Sequence, residues 1–341
     1  MTGYIDHSKS TIQAQKSILP GAPWLVAHKS MLSANKPYKL TLNGKDYVIW
    51  QNGRGEVFAL DNICPHMQAP LSDGWICAEQ NAIACPFHGL KFDRRGQLSK
   101  AKSSATLVQP IELTIKEDII WTYGNLKPHL PVPDLITRLT RGYQFLGVAG
   151  EKSINVPFLN CLKINYDFNH AIATHREPFK FDAIEIKNYR ENGYHTELDQ
   201  VIIRSENTWQ ELIINPALLT VSKELHNHFE YAFPSITSVS SQTFLGELLQ
   251  FFVLYPETET VTKTFILVYL KPKNKFTQIL SFLVASSFLK SFDLVIEQDS
   301  SMVEALYPYQ KPKIRLPREE VMFYAEQLYN QCNKESSKMN S

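Results

Sequence analysis

The chain has 341 residues, of which 44% are hydrophobic, and its 35 Lys and Arg against 34 Asp and Glu give a formal net charge of +1. This length suffices for two domains with separate cores, and the near-zero charge argues against nucleic acid as a partner. No charged-then-apolar signal segment begins the chain, and polar residues interrupt the longest apolar stretch, Ile279 to Val295. We therefore expect no transmembrane segment.

Short β-like segments occupy the first third of the chain, with turn signals at Asn43-Gly44 and Asn52-Gly53. A proline-rich stretch without periodicity follows at Lys127 to Pro133 and indicates a connector between two domains. The pattern predicts an N-terminal extension over residues 1–23 and an all-β domain over residues 24–125.

Two short motifs within this β region contain residue types that bind metals. They are Cys64-Pro65-His66 and Cys85-Pro86-Phe87-His88. Their spacing suits a [2Fe–2S] cluster with two thiolates on one iron and two imidazoles on the other, which is Rieske ligation. Structural zinc is the alternative, although zinc sites more often use C-x2-C pairs. The sequence therefore predicts a Rieske cluster bound by Cys64, His66, Cys85 and His88.

The remaining three cysteines, at positions 77, 161 and 332, form no disulfide-like pattern. This usage favours a reducing compartment, and we expect the protein to be cytoplasmic.

Mixed helix and strand patterns fill residues 126–332, which we predict to be a second, α+β domain with a curved antiparallel sheet. A helix is expected near residues 165–174, strands between 183 and 270, and further helices at about 281–306 and 319–331. A polar tail over residues 333–341 is expected to fray.

Two histidines in this second domain, His170 and His175, are five positions apart. On a straight helix five positions rotate by about 500°, so the two side chains would diverge by about 140°. Both can face one ion only if the helix ends between them, and Pro178 makes such an ending plausible. Two imidazoles and one carboxylate leave positions open for dioxygen on a non-heme Fe(II).

A distant carboxylate must complete this predicted iron site. Asp299 is the best candidate, because apolar residues around it are available to pack its helix. Asp293 and Glu297 are its rivals.

Taken together, the cluster strings and the pattern Asp167-x-x-His170-x4-His175 resemble the α-subunits of Rieske non-heme iron oxygenases, from Trp24 to roughly residue 317. The resemblance implies a START-like helix-grip catalytic domain and a head-to-tail homotrimer. It assigns Asp167 to bridge the two metal sites between subunits, from His88 of one copy to His170 of the next.

The chain also departs from the family's pattern. The family commonly has Arg-Gly after the first cluster histidine, where this chain has Met67-Gln68, and Tyr or Trp where it has Phe87. Neither departure removes a ligand.

The resemblance predicts an oxygenase component that uses O2 to hydroxylate or oxidatively demethylate a mainly apolar small molecule. Its electrons would come from NAD(P)H through a ferredoxin or a ferredoxin reductase. The alternatives are an electron-transfer or ligand-binding redox protein without oxygenase activity, and a Rieske-dependent desaturase. The sequence does not identify the substrate, the regiochemistry or the electron donor.

Weaker substrate-contact candidates lie on the predicted strands: Arg204, His226, His228 and Tyr255. The serine-rich apolar run from Ile279 to Phe292 could pack in the core, cover a pocket or contact a lipid-like surface, and the sequence leaves this open.

Overall fold

The computed structural model describes residues 17–78, 81–99, 104–307 and 312–339. Most of the predicted N-terminal extension therefore lies outside the described residues. Three small antiparallel sheets make up the N-terminal part, in the strand orders β1-β9-β8, β2-β3-β4 and β5-β6-β7. Their strands are β1 (Trp24–His28), β2 (Tyr38–Leu42), β3 (Lys45–Gln51), β4 (Val57–Asp61), β5 (Trp75–Cys77), β6 (Ala82–Ala84), β7 (Lys91–Asp93), β8 (Leu113–Lys116) and β9 (Ile119–Thr122).

A seven-stranded antiparallel sheet dominates the second part, in the order β10-β16-β15-β14-β13-β12-β11. Its strands are β10 (Gln144–Ile154), β11 (Phe181–Asn192), β12 (His195–Arg204), β13 (Glu224–Ala232), β14 (Ile236–Gln242), β15 (Gly246–Pro256) and β16 (Thr262–Pro272). The helices are α1 (Leu135–Leu139), α2 (Phe158–Asn165), α3 (Ala171–Thr174), α4 (Arg176–Phe179), α5 (Trp209–Ile214), α6 (Lys275–Glu304) and α7 (Glu320–Met339). Short 3₁₀ helices lie at Lys29–Met31, Leu71–Asp73 and Pro216–Thr220.

The two parts share one core. Trp24 of β1 packs edge-on against Phe158 of α2, with ring centroids 5.2 Å apart. The turn at Asn43 and Gly44 donates backbone hydrogen bonds to the carbonyls of Pro256 and Glu257. The predicted fold class, an all-β domain followed by an α+β domain, is confirmed, whereas the domain bounds chosen from the sequence stay predictions.

Three helix predictions need correction. Where one helix is expected near residues 165–174, α3 covers only Ala171–Thr174, whereas α2 lies almost entirely before that range and ends at Asn165. The long helix starts at Lys275 rather than near residue 281, because Asn274 and Thr277 form a reciprocal capping box. The last helix runs on to Met339 instead of fraying at Asn333.

Helix α6 packs along β10 and β16 and forms its own core cluster with them, in which Phe288, Phe292 and Ile296 are buried. This packing closes a space between the helix and the concave side of the sheet, and the candidate site lies there.

Candidate metal centres and the apolar cavity

Two loops with the same backbone geometry present the cysteine and histidine strings. In each loop the cysteine N–H donates to the carbonyl five residues on, Cys64 to Ala69 (2.9 Å) and Cys85 to Leu90 (2.8 Å). The cysteine carbonyl accepts from the residue four on, which has a left-handed backbone in both loops (Gln68, φ 56°; Gly89, φ 67°). The two strings are therefore held as near copies of one turn.

The four predicted cluster ligands converge at the tips of these loops. Cys64 and Cys85 are both 1% exposed, and burial, followed by the neighbouring Cys85 thiol, raises the pKa of Cys64 against the opposing effect of a backbone hydrogen bond at His66. The Nδ1 atoms of His66 and His88 lie 3.2 Å apart, and both rings are exposed. Two buried sulfurs and two outward imidazoles fit the donor set of a Rieske cluster, with its histidine-ligated iron at the surface.

Close backbone packing fixes the two loops against each other. A Cβ added to Gly74 would lie 1.8 Å from the carbonyl oxygen of Ala84, directly before Cys85. Asn62 and Ser72 exchange hydrogen bonds across the base of the first loop (2.7 and 3.0 Å). The spacing between the two ligand pairs therefore depends on tight contacts beneath the loops.

A second donor set lies where α3 meets α6. His170 immediately precedes the one-turn helix α3 and His175 ends it, which is the helix ending that the sequence argument requires. The Nε2 atoms of His170 and His175 lie 3.3 and 3.2 Å from Oδ1 of Asp299. All three donor atoms are within 4.8 Å of one another.

The other ring nitrogen of each histidine is occupied. Nδ1 of His170 is 2.5 Å from the main-chain carbonyl oxygen of Asp167, and Nδ1 of His175 is 3.0 Å from Oε1 of Gln298. Gln298 donates through Nε2 to the carbonyl of Glu177 (2.6 Å), which fixes the orientation of its amide. Both Nδ1 atoms therefore carry the proton, and in the neutral rings both Nε2 atoms have lone pairs.

Three electron-rich atoms thus converge on one point. Oδ1 of Asp299 is buried and makes no hydrogen bond among the described residues. Neutral imidazole lone pairs facing a carboxylate oxygen at 3.2–3.3 Å repel it unless a cation lies between them. The donor set therefore fits a divalent metal with two nitrogen ligands and one oxygen ligand.

The electrostatics of the three side chains agree with this. Burial raises the pKa of Asp299, but the imidazoles of His170 and His175, which favour the carboxylate when they carry positive charge, outweigh it and bring the pKa to about 2. For His170, burial lowers the pKa and Asp299 raises it, and the net direction is upward. The site therefore holds a carboxylate that stays ionised and favours positive charge beside it.

The rival carboxylates on α6 are engaged elsewhere. Oδ1 of Asp293 accepts a hydrogen bond from the N–H of Gly150 (2.7 Å), and Glu297 pairs with Lys152 (2.6 Å). Both contacts join α6 to β10, which leaves Asp299 as the α6 carboxylate at the histidines.

Asp167 lies beside the same site and lines the cavity described below. Its carbonyl orients His170, while its carboxylate accepts a hydrogen bond from the N–H of Asn169 (2.9 Å). The role of Asp167 as a bridge between subunits stays a prediction.

A mainly apolar cavity of about 220 Å³ leads from the donor set into the space between α6 and the sheet. Its α6 wall is a single stripe at helical spacing: Phe288, Ser291, Phe292, Val295 and Asp299.

A row of hydrogen-bonded polar side chains crosses the sheet side of this cavity. Ser241 donates to Oδ1 of Asn227 (2.6 Å), and Nδ2 of Asn227 donates to Oε1 of Gln200 (2.9 Å). Register places these residues opposite one another on β12, β13 and β14. The sequence analysis missed this row and Gln298, because single Gln, Asn and Ser residues in strands and helices carry no local signal of a shared site.

Of the four predicted substrate contacts, Arg204 alone lines the described cavity. Its guanidinium is already engaged, since Nε donates to the carbonyl of Phe179 (3.0 Å) and NH2 donates to Asn207. Tyr255 is 1% exposed in the shared core and lies away from the cavity lining. The structure thus places Tyr255 contrary to the prediction.

His226 and His228 are also placed contrary to the prediction. On β13 the residues that line the cavity are Leu225, Asn227 and Phe229, and alternation along a strand turns the two histidines to the opposite face. His228 instead contacts Glu230 and Asp199, and hydrogen bonding to Glu230, above all, raises its pKa to about 9 although burial opposes this.

Residues 22–112 match the family model of the Rieske [2Fe-2S] domain. Over nearly its whole length the chain also shares the fold of solved monooxygenase structures, in agreement with the fold class that the sequence predicts.

The solved structures with this fold include dicamba monooxygenase bound to dicamba, with a TM-score of 0.73 and 20% identity over 95% of this chain and 100% of that chain. NdmA of Pseudomonas putida CBB5 with caffeine superposes with a TM-score of 0.67 and 16% identity over 94% of this chain and 93% of that chain.

Among curated proteins, aminopyrrolnitrin oxygenase PrnD of Pseudomonas fluorescens is 28% identical over 179 residues, which cover 49% of this chain and 48% of that protein. The oxygenase component of dicamba O-demethylase from Stenotrophomonas maltophilia is 29% identical over 171 residues, 48% of this chain and 49% of that protein. The chain thus spans about half the length of the curated relatives it matches.

Proposed function

We propose that this chain is the oxygenase component of a Rieske-type system and that it hydroxylates or oxidatively demethylates a mainly apolar small molecule with O2. The observation that carries the proposal is the convergence of His170, His175 and Asp299 at the end of a mainly apolar cavity, in a chain that also has a Rieske domain. An Fe(II) ion with three protein ligands keeps positions open for O2 and supplies the oxidising chemistry.

The protein's own residues would hold and orient this centre. His170, His175 and Asp299 would bind the iron, while the carbonyl of Asp167 and the amide of Gln298 accept the Nδ1 protons and orient both imidazoles so that each Nε2 faces the metal position. The aromatic wall of α6 would exclude water and position an apolar substrate. Oxidative demethylation of such a substrate is consistent with the likeness to the oxygenase component of dicamba O-demethylase.

Electrons would enter through the exposed histidine side of the cluster bound by Cys64, Cys85, His66 and His88. We infer that NAD(P)H supplies them through a reductase, with or without a ferredoxin. A head-to-tail homotrimer would bring His88 of one copy to Asp167 and His170 of the next. With Cys64 and Cys85 assigned to the cluster, the remaining Cys77, Cys161 and Cys332 form no disulfide, which favours a reducing compartment, and we propose that the protein works in the cytoplasm.

Metal and sulfide analysis of anaerobically purified protein, with electron paramagnetic resonance of the dithionite-reduced sample, tests both centres. We expect about three irons and two sulfides per chain and a Rieske signal. Asp299→Asn should lower the iron to about two per chain and leave sulfide and the Rieske signal unchanged. Glu297→Gln, two residues away and 60% exposed at its side chain, is the matched control and should keep all three irons.

The competing functions give different results. Two irons and two sulfides in the unaltered chain, with no gain on adding Fe(II), would indicate a Rieske redox protein without an oxygenase centre. Bound zinc together with an absence of sulfide would overturn the cluster assignment as well.

A further inference from the structure

A group of large apolar side chains is exposed on one side of the catalytic part. Each is between 62% and 81% exposed. We name this surface the apolar face and define it as Trp209, Ile213, Ile214, Leu219, Phe244, Phe276, Ile279, Phe282 and Leu283.

Hydrogen bonds tie the four segments of the apolar face together. Behind α5, Asn215 donates to Oγ of Ser291 on α6 (2.7 Å). The N–H of Ala217 donates to Oγ of Ser287 (3.0 Å), which seats the 3₁₀ helix on α6. Phe244 donates from its N–H to the carbonyl of Thr220 (2.9 Å). The four segments that carry the nine exposed side chains are therefore adjacent to one another.

Helix α6 contributes an exposed stripe to this surface. At about 100° per residue, Lys275, Phe276, Ile279, Leu283 and Lys290 all project within one sector of about 120°. Among the described helices α6 is the one long and apolar enough to cross a membrane by composition, yet only 28% of its most apolar stretch is buried. A core helix buries most of such a stretch, so the apolar composition of α6 is not explained by packing alone.

The charge around the apolar face has one sign along α6. From position 271 to position 292 the sequence has no Asp or Glu, while Lys273, Lys275 and Lys290 are exposed and take part in none of the ion pairs between described residues. Lys275 and Lys290 stand at the two ends of the stripe, about 22 Å apart along the axis. The acidic residue of α5, Glu211, is paired with Lys180 (2.9 Å).

We propose that the apolar face binds the surface of a lipid bilayer that contains anionic headgroups, with α6 lying along the interface. A Trp, Phe, Ile and Leu surface bordered by lysines is the pattern of interfacial membrane helices. The long aliphatic chain of a lysine lets its ammonium group reach the lipid headgroups while the adjacent apolar side chains enter the acyl region. Protein interfaces, in contrast, are depleted in Lys.

The cavity lies directly under the apolar face, since Ala217, Leu218, Phe288 and Ser291 line it from the same segments. A bilayer on this face would thus adjoin the wall of the cavity. Delivery of an apolar substrate by this route rests on the proposed function, whereas bilayer binding does not.

Vesicle co-sedimentation of the full-length protein tests the proposal. The probes are extruded phosphatidylcholine vesicles with and without one third phosphatidylglycerol, at low and at physiological salt. We expect binding to the anionic vesicles that weakens at least fivefold as salt rises and is much weaker on pure phosphatidylcholine. No sedimentation with either vesicle would overturn the proposal.

Two double variants and two matched controls separate the contributions. Ile279→Ser with Leu283→Ser should weaken binding at least tenfold, and Ile314→Ser, equally exposed at 76% but outside the apolar face, should not.

Lys275→Glu with Lys290→Glu should abolish the preference for anionic vesicles, whereas the charge-matched Lys36→Glu with Lys116→Glu should preserve it. Equal loss in variants and controls would refute the assignment of this surface. If the serine pair fails to fold by circular dichroism, the lysine pair and the salt dependence decide the question.

The competing occupant is a second copy of this chain. Sedimentation equilibrium of the unaltered protein and both double variants distinguishes the two. A smaller assembly in the variants would show that the apolar face joins subunits and would overturn the proposal. An unchanged assembly mass with lost vesicle binding supports it.

Discussion

Gln298 is expected to set the affinity of the mononuclear site although it does not touch the metal. Its Oε1 accepts the Nδ1 proton of His175 at 3.0 Å, and its Nε2 donates to the carbonyl of Glu177 at 2.6 Å. His175 is 6% exposed, so water cannot replace a lost partner. Leaving one buried donor unpaired costs roughly 1–3 kcal/mol, and this cost falls on the iron-bound state because a metal on Nε2 prevents the ring from turning to another partner. At about 1.4 kcal/mol per factor of ten, Gln298→Leu should weaken Fe(II) binding by about 5- to 150-fold.

Anaerobic equilibrium dialysis against Fe(II), after the mononuclear metal has been removed with a chelator, measures this affinity. Gln298→Glu keeps the acceptor for His175 but loses the donor to Glu177, and its affinity should fall between those of the unaltered protein and the leucine variant. Ser301→Ala, an exposed change on the same helix, is the control. Unaltered Fe(II) affinity in Gln298→Leu, or an equal loss in Ser301→Ala, would refute the reasoning.

Three further outcomes follow from the packing and charge of particular residues. Gly74→Ala should prevent cluster assembly, because its Cβ would lie 1.8 Å from a carbonyl oxygen, and the loss would be measured as missing sulfide and visible absorption. Gly53→Ala is the control and should retain the cluster, because a Cβ there would meet no atom within 4 Å. Phe288→Ala should cost about 3 kcal/mol and lower Tm by several degrees, while the exposed Phe282→Ala should leave Tm nearly unchanged. His228, with its raised pKa of about 9, contributes stability that is fully present below pH 6.5 and is lost as pH rises through about 9. Its side chain is 43% exposed, so we expect His228→Gln to remove at most about 1 kcal/mol of that pH dependence in thermal melts.

The cluster site could be predicted because its chemistry is local. Both ligand pairs lie in single turns, and a turn of this kind depends mainly on its own residues and on a left-handed position such as Gly89. The two loops then meet because β5, β6 and β7 form one small antiparallel sheet. Assignment of the four side chains as ligands nevertheless remains a prediction until metal is measured.

Other features needed the three-dimensional arrangement. The helical pattern near residues 165–174 did not show that α2 begins at Phe158, nor that the chain leaves the helix between Asn165 and Ala171. The row of Gln200, Asn227 and Ser241 exists only because the register of three strands aligns them. His226 and His228 were misplaced for a related reason, since alternation tells which residues share a face of β13 but not which face meets the cavity.

The choice among the three carboxylates of α6 follows from the helical period together with the position of β10. Asp293 and Glu297 precede Asp299 by six and two positions, which turns them away from it by about 120° and 160° around the axis. Those directions meet β10, where the two side chains bind Gly150 and Lys152. A Cβ at Gly150 would lie 2.5 Å from Ile296, so the helix approaches the strand as closely as glycine permits. The rotation of α6 that turns Asp293 and Glu297 towards β10 therefore turns Asp299 towards the two histidines.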